Sequence, residues 1–333
     1  MGSNSCHRAS GNSYSNLAGT SLILLRRLSY AALTLAYLQI VFGAIVRITG
    51  SGLGCGNNWP DCYGSFAPTE RGIGLLIEIS HRYGAAILST AVFVLALAAF
   101  LKRDERGVAG AGGVLRVSLV AAGLVVTAAL FGAATVKLDL SPGIVVTHLS
   151  IAMSLLGVLS LAVIRSGGFG ARSDLSGSSD RTTRATTVAL VLGALTLILG
   201  ALTANIPSAP IACGGFPWCR TVNAAGTPLV VQIVHRTIAF LLFGHLWGVA
   251  MALPKRNEPR ALVVAARFAF GFAILQVMIA AAMVEMHLPL VLRSLHQATG
   301  TLVWLAICVL AGLSRVASPE RSPARANLVA ELA

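Results

Sequence analysis

The sequence has few charged side chains: Asp, Glu, Lys and Arg make up 11% of its 333 residues. Hydrophobic residues make up 56%, and the mean hydropathy is +0.79. An ordinary soluble globular domain is excluded by this composition, so the main solvent of the chain is lipid. The net charge of +13 does not indicate nucleic acid, because the basic residues lie in short loops between apolar runs.

Two sequence signals are also missing. The chain has no glycine-rich fingerprint of a flavin or nicotinamide site, so redox chemistry would need another carrier. The first apolar run follows Arg26 and Arg27, as in a signal peptide, but it is too long for one and no convincing Ala-x-Ala cleavage site follows. We interpret this run as a retained helix.

What the chain does have is long apolar runs, and about 20 such residues are needed for a helix to cross a bilayer. Eight runs qualify, which predicts an all-α polytopic membrane protein with eight transmembrane helices. They are Leu28–Ile48, Leu75–Leu101, Val114–Val136, Ile144–Ile164, Thr186–Ala204, Leu229–Leu253, Ala261–Val284 and Leu290–Leu313.

Basic residues concentrate in alternate connections between these runs. The second, fourth and sixth connections and both tails, with the helix ends beside them, hold most of the 25 Lys and Arg residues. Positive residues favour cytoplasmic loops. We therefore predict that both termini are cytoplasmic and that the first and fifth connections face outward.

The chain also contains an internal repeat of about 150 residues. An even number of helices in each half gives both halves the same orientation, so we predict two pseudo-symmetric parallel four-helix bundles. The landmarks that recur at offsets of 158, 157, 154 and 148 are Cys55 and Cys213, Cys62 and Cys219, His81 and His235, and His148 and His296.

This repeat predicts the domain boundaries. The two halves are 28–164 and 186–313. Between them lies a cytoplasmic linker, 165–185, which is rich in Gly, Ser, Arg and Asp and has no apolar periodicity. Cytoplasmic tails, 1–27 and 314–333, flank the halves.

The four repeated histidines are the strongest candidate ligands. A single membrane histidine is explained equally well by an interhelical hydrogen bond. Four at matched depth near the outer face, two in each half, instead predict axial ligands for two haem irons. Zinc or copper fits worse, because apolar residues rather than further Cys, Asp or Glu surround each pair. We interpret His245, which has no repeat counterpart, as a packing residue.

Charged residues beside the histidines extend the hypothesis. Arg82 and Arg236 follow His81 and His235, and could pair with haem propionates or extend to lipid headgroups. Glu78 is a carboxylate inside an apolar run, three positions before His81 and on the same helix face.

Such a carboxylate is a candidate proton acceptor or charge stabiliser, or alternatively a hydrogen-bond partner of an imidazole. Glu78 maps to Val231 or Gln232 in the second half. The two halves therefore differ chemically, which suggests that one site reacts while the other transfers electrons.

Each cysteine pair lies in an outward-facing connection, Cys55 with Cys62 and Cys213 with Cys219. In the oxidising space outside the membrane, each pair predicts a local disulfide. The sequence leaves open whether these bonds only staple the loops or take part in redox chemistry.

Together these motifs resemble the bacterial haem A synthase family over nearly the whole chain. The resemblance rests on the run Gly-Ala-Ile-Val-Arg-Ile-Thr-Gly-Ser-Gly-Leu-Gly-Cys that ends at Cys55, on Trp59-Pro60-Asp61-Cys62, on Glu78-Ile79-Ser80-His81-Arg82, and on the repeats of His148, His235-Arg236 and His296-Gln297.

The resemblance implies an enzyme of the bacterial inner membrane that oxidises the C8 methyl of haem O to the formyl of haem A for terminal oxidases. It implies that His81 and His148 flank substrate haem O, with Glu78 at the reacting methyl, and that His235 and His296 ligate a haem b cofactor. Arg47 also matches, without an assigned role.

Two other functions stay open from the residues alone: a b-type dihaem electron-transfer protein, and a carrier that passes haem O on unchanged. Expected partners are haem O, membrane lipid and, by pathway logic, the farnesyltransferase that makes haem O and a terminal oxidase or its assembly factors. No nucleic-acid partner is expected.

Overall fold

The computed structural model of the chain describes residues 10–66, 72–171 and 178–316. Eight α-helices in these ranges are long and apolar enough to cross a membrane, which confirms the predicted all-α polytopic membrane protein. Their bounds are α1 Ser10–Ile48, α2 Ile73–Leu101, α3 Val114–Lys137, α4 Pro142–Arg165, α5 Asp180–Asn205, α6 Thr227–Lys255, α7 Arg260–Glu285 and α8 Leu290–Val316.

Two helices begin six or more residues before the apolar runs that predicted them. The first starts at Ser10 rather than Leu28, and the fifth at Asp180 rather than Thr186. Hydropathy marks the part of a helix that suits lipid, whereas capping and backbone hydrogen bonds decide where the helix starts.

Parts of the predicted tail 1–27 and linker 165–185 are therefore helical. At the start of α5, the Ser179 hydroxyl accepts the Thr182 N–H at 3.3 Å, as an N-cap residue does. The remainder of the predicted tails and of the linker falls largely outside the described residues, in 1–9, 172–177 and 317–333.

The helices form two units. In the first unit, α1 contacts α2 and α4, and α3 contacts α2 and α4, so that the four helices form a closed ring. The second unit, α5 to α8, has the same pattern of contacts. Contacts of α4 with α5, and of α8 with α1 and α4, join the units. Helix α8 is the most buried within the bundle. In its most apolar stretch of 18 residues, 67% of the residues are buried, against 22–33% in the other helices.

Small residues let α4 and α8 approach closely, as is typical of membrane helix pairs. A Cβ atom built on Gly157 would lie 3.2 Å from the Cys308 sulfur. Nearby, the Trp304 indole N–H donates to the Met153 carbonyl at 2.9 Å. These contacts set the position of one unit against the other.

The connections after α1 and α5 are compact. Each contains a short 3-10 helix, Ser51–Leu53 in the first and Ala209–Ile211 in the second. The second connection also forms a small antiparallel ladder between strands β1, Cys213–Gly214, and β2, Thr221–Val222. Both connections lie over the ends of helices that carry the candidate histidines.

Candidate functional site

The four candidate histidines occupy corresponding helices of the two units. His81 lies in α2 and His148 in α4, whereas His235 lies in α6 and His296 in α8. All four side chains are half-buried. Each unit therefore contributes one histidine from its second helix and one from its fourth.

Glycines on the neighbouring helices make room for three of the rings. An added Cβ atom at these glycines would push against an imidazole, so the helix surface is shaped to the ring. The distances from such a Cβ to the ring Cε1 are 3.0 Å for Gly43 and His81, 3.4 Å for Gly132 and His148, and 2.9 Å for Gly200 and His235.

Glutamine side chains contact two of the four histidines, His81 and His296. Gln39 in α1 donates its amide N–H to the His81 carbonyl at 2.8 Å, and the same nitrogen lies 3.0 Å from His81 Nδ1. In α7, the Gln276 amide nitrogen lies 3.1 Å from His296 Nδ1. Each amide restrains the orientation of its imidazole.

The other two rings have buried nitrogens that lack such a partner. Nδ1 of His148 and Nδ1 of His235 make no hydrogen bond of good geometry with the described residues. The backbone at Ala128 and at Thr196 lies close enough to interact with them. Neither of these two rings is therefore held by a strong hydrogen bond within the part of the chain that the structure describes.

The two histidines of each unit lie near one another. His81 and His148 are close enough for a charge on one imidazole to act on the other. His235 and His296 line one cavity of about 250 Å³. Among the residues that the structure describes, no group of three or more His, Cys, Asp or Glu forms a metal cage. Paired imidazoles suit an iron whose other four ligands come from a porphyrin.

The wall of this cavity is mostly apolar, with a few polar groups. Leu197, Phe240, Phe243 and Val277 contribute apolar surface. No aspartate or glutamate is among its described lining residues. The polar side chains on the wall, besides the two histidines and Thr196 and Thr203, are Gln232, Gln276, Gln297, Arg47, Arg236 and Arg293.

Glu78 lies in α2, one helical turn before His81, and is 3% exposed. Its Oε2 accepts the backbone N–H of Cys55 at 2.8 Å, and its Oε1 is paired with the Arg82 guanidinium. The carboxylate therefore joins the cysteine loop to the helix that carries His81.

Gln232 makes the corresponding contact in the second unit. Its Oε1 accepts the Cys213 N–H at 2.6 Å, and its Nε2 donates to the Pro210 carbonyl at 3.1 Å. Of the two residues that the repeat left open, Gln232 and not Val231 is thus the counterpart of Glu78. The two units share one way of holding the loop, but only the first uses a charged group.

The arginines next to His81 and His235 brace these loops. Arg82 donates to the Asp61 carbonyl at 2.7 Å. Arg236 donates to the carbonyls of Gly215 at 2.8 Å and Cys213 at 2.9 Å. Both guanidinium groups are thus largely engaged by loop backbone, which leaves fewer of their N–H groups for haem propionates than the sequence suggested.

Both predicted disulfides are formed, Cys55–Cys62 and Cys213–Cys219. They differ in access to solvent. Cys55 and Cys62 are fully buried, whereas Cys219 is exposed. His245 contacts the backbone of α5, with its Nε2 at 2.9 Å from the Ala185 carbonyl, which agrees with a packing role.

Three residues near the histidines were not predicted from the sequence: Gln39, Gln276 and Arg293. The sequence did contain a pattern that indicates Arg293. It stands three positions before His296, as Glu78 stands three before His81, so both share a helix face with a candidate ligand. The two glutamines had no such signal, because they act on histidines of neighbouring helices.

Known proteins resemble the chain over both units. It matches the family COX15-CtaA, cytochrome oxidase assembly protein, over residues 26–73 and 72–308. It is 29% identical over 228 residues to a heme A synthase of Alkalihalophilus pseudofirmus, covering 66% of this chain and 75% of that protein.

Two further heme A synthases show the same similarity. That of Lysinibacillus sphaericus is 29% identical over 292 residues, covering 83% of this chain and 91% of the relative. That of Bacillus licheniformis is 30% identical over 230 residues, covering 68% and 74%. Because the match reaches into all eight helices, the chain belongs to the COX15-CtaA family of cytochrome oxidase assembly proteins.

Proposed function

We propose that this chain is a haem A synthase, which oxidises the C8 methyl group of haem O to the formyl group of haem A. In this proposal His81 and His148 hold the substrate, and His235 and His296 ligate a haem b cofactor. The names of its relatives support the reaction. One observation supports the assignment of the substrate to the first unit and the cofactor to the second. A buried carboxylate, Glu78, lies near the histidine pair of the first unit, and the described lining of the second cavity contains no carboxylate.

The residues present fit two haems. Each unit offers two imidazoles in apolar surroundings, and two of the four have a buried nitrogen without a good hydrogen bond. The cavity between His235 and His296 supplies apolar surface for a ring and positive charge for its carboxylates. When bound there, haem b supplies one-electron redox chemistry.

Written as a half-reaction, the conversion of a methyl to a formyl group adds one oxygen atom at the oxidation level of water and releases four protons and four electrons. The electrons leave to an acceptor outside the chain. Protons need a nearby base, and Glu78 is suitably placed because it shares a helix face with His81. Its bonds to Cys55 and Arg82 hold the carboxylate in one position, so that it can accept a proton without prior rearrangement.

The loop between Cys55 and Cys62 completes this arrangement. Its disulfide is fully buried and its backbone is tied to α2 through Glu78 and Arg82. A loop fixed in this way shields the carboxylate of Glu78, which is 3% exposed, from bulk solvent, and this strengthens electrostatic interactions at that carboxylate.

Identification of the bound haems tests the proposal. The protein purified from membranes should contain haem b together with haem O or haem A, as resolved by extraction and chromatography with mass detection. Two stoichiometric haem b groups without a formyl product would instead indicate an electron-transfer protein. Haem O that is bound and released unchanged would indicate a carrier.

We further propose that the cysteine loops face outward from the bacterial inner membrane and that both termini are cytoplasmic. The distribution of Lys and Arg supports this orientation. After mild reduction, a membrane-impermeant thiol reagent should label exposed Cys219 in intact spheroplasts. Labelling of Cys219 only after lysis would show that the orientation is opposite to the one proposed.

Complexes with the farnesyltransferase or a terminal oxidase stay predictions that co-purification can test.

Substitution of Gly200 by alanine should loosen haem b binding. The added Cβ would lie 2.9 Å from His235 Cε1, so the ring has to move, and overpacking of this kind costs about 1–3 kcal/mol. The haem b content of the purified variant, from the pyridine haemochrome spectrum, measures the effect.

The matched control is Gly244→Ala, in α6 of the same unit, where an added Cβ meets nothing within 4 Å. It should retain its full haem content. Equal haem b in the two variants would show that the close packing of His235 on α5 does not position a ligand.

A further inference from the structure

We infer that Arg47 and Arg293 form a pair that binds the two propionates of the haem in the second unit, and that the first unit lacks such a pair. This inference rests on the proposed function and assigns the anchoring groups of its cofactor site. It shifts the propionate role from Arg82 and Arg236, whose guanidinium groups the loops engage.

Arg47 reaches the second unit from the first. It lies near the end of α1, yet its side chain lines the cavity that contains His235 and His296. Its Nη1 donates to the Ala204 carbonyl at the end of α5, at 3.1 Å. This single bond leaves most of the five guanidinium N–H groups for another acceptor.

Arg293 approaches the same space from α8. It lines the cavity and stands one helical turn before His296, on the same face of the helix. The two positive charges, of Arg47 and Arg293, are close enough to interact with each other.

Two like charges in a half-buried cavity call for an anion. No carboxylate is among the described lining residues, and the third arginine on the wall, Arg236, is held by the loop. Burial of unpaired charges is costly in and near a membrane. A haem bound between His235 and His296 carries two carboxylates, and guanidinium groups bind carboxylates through paired hydrogen bonds.

The repeat shows why this pair belongs to one unit only. At the offset of 157 that relates Cys62 to Cys219, Arg47 corresponds to Ala204. At the offset of 148 that relates His148 to His296, Arg293 corresponds to Val145. Neither counterpart is charged. A site without this anchor suits a haem that has to leave as product, whereas an anchored site suits a permanent cofactor.

Redox titration of the purified full-length protein tests the inference through haem b itself. Arg47→Gln and Arg293→Gln should each lower the haem b content, at least twofold after detergent washing, and shift the midpoint potential of the remaining haem downward. Loss of a nearby positive charge favours the ferric form, which has one more positive charge. Arg47→Lys and Arg293→Lys should lie between these variants and the wild type.

The matched control is Arg267→Gln, an exposed arginine of α7 that does not line the cavity. It should leave both haem b content and potential unchanged. Unaltered values in both cavity variants would overturn the inference while leaving the proposed function intact. Wild-type protein without haem b would overturn both.

Infrared redox-difference spectra separate a haem propionate from a lipid phosphate as the anion. With haem labelled by carbon-13 at the propionates, the wild type should show isotope-sensitive carboxylate bands that move in Arg47→Gln and Arg293→Gln. Bands that do not move, together with loss of bound phospholipid phosphate from these variants, would assign the pair to a lipid headgroup and overturn the inference.

Discussion

Glu78→Gln protein should fold, bind haem b and take up haem O, yet form haem A about 10²–10⁴-fold more slowly than the wild type. This factor is what a positioned acid–base group typically contributes. Conversion of haem O to haem A in membranes, followed by chromatography of extracted haems, measures the rate. Haem b content and the visible spectrum show that the variant is folded.

The second unit explains why glutamine is the informative replacement. Gln232 accepts the Cys213 N–H at 2.6 Å, just as Glu78 accepts the Cys55 N–H at 2.8 Å, so a neutral amide can hold a cysteine loop. Glu78→Gln therefore removes the charge and the basicity, and retains the acceptor for the loop.

Glu105→Gln is the matched control, because Glu105 is also ion-paired within its unit, to Lys102, and accepts the Ser21 hydroxyl at 2.8 Å. It lies in the connection between α2 and α3, away from the histidines. Near-normal haem A formation by Glu78→Gln would show that Glu78 only fastens the loop. A rate as low in Glu105→Gln would point to general instability.

Removal of His296 should abolish haem b binding, which is the second large effect that we expect. In the proposed site, His296→Ala would remove one of the two imidazoles that would hold the haem iron. The haem b absorption of the purified protein should fall to background, and haem A formation should stop because the electron route is lost. His235→Ala should behave in the same way.

Variants of the first unit distinguish the roles of the two pairs. His81→Ala should keep its haem b and lose the ability to retain haem O. For His296→Ala and His235→Ala, the control is His245→Ala, which also removes an imidazole from the second unit. His245 packs against the Ala185 carbonyl, so this variant should keep its haem b. Loss of haem b from His81→Ala with retention in His296→Ala would exchange the proposed roles of the units.

The duplicated sites differ in the residue that stands three positions before each histidine. The residues there are Glu78 in α2, Val145 in α4, Gln232 in α6 and Arg293 in α8. All four lie on the helix face of their histidine. One carboxylate in the first unit and one guanidinium in the second thus accompany otherwise similar imidazole pairs, as expected if reaction and cofactor retention are separated.

The membrane-spanning helices, the disulfides and the histidine pairs were predictable from the sequence. Apolar runs of sufficient length, local cysteine spacing and a repeat with near-constant offsets are properties of short segments or of their order along the chain. These properties do not depend on how the helices pack against one another. For the apolar runs, the reason is that a backbone segment in lipid has to satisfy its own hydrogen bonds, as a helix does. Helix starts at Ser10 and Asp180 were less predictable, since polar ends of helices carry no hydropathy signal.

Only the tertiary structure decided which residues share a site across helices and units. It places Arg47 of α1 in the wall of the cavity of α5 to α8. It brings Gln39 and Gln276 into contact with histidines of adjacent helices. It directs Arg82 and Arg236 to carbonyl groups of the cysteine loops. These contacts depend on the rotation and depth at which helices pack, which side-chain volumes along the whole interface determine. The sequence alone therefore indicated which groups are candidates for binding haem, and the packing of α1 and α8 decided which arginines line the cavity of His235 and His296.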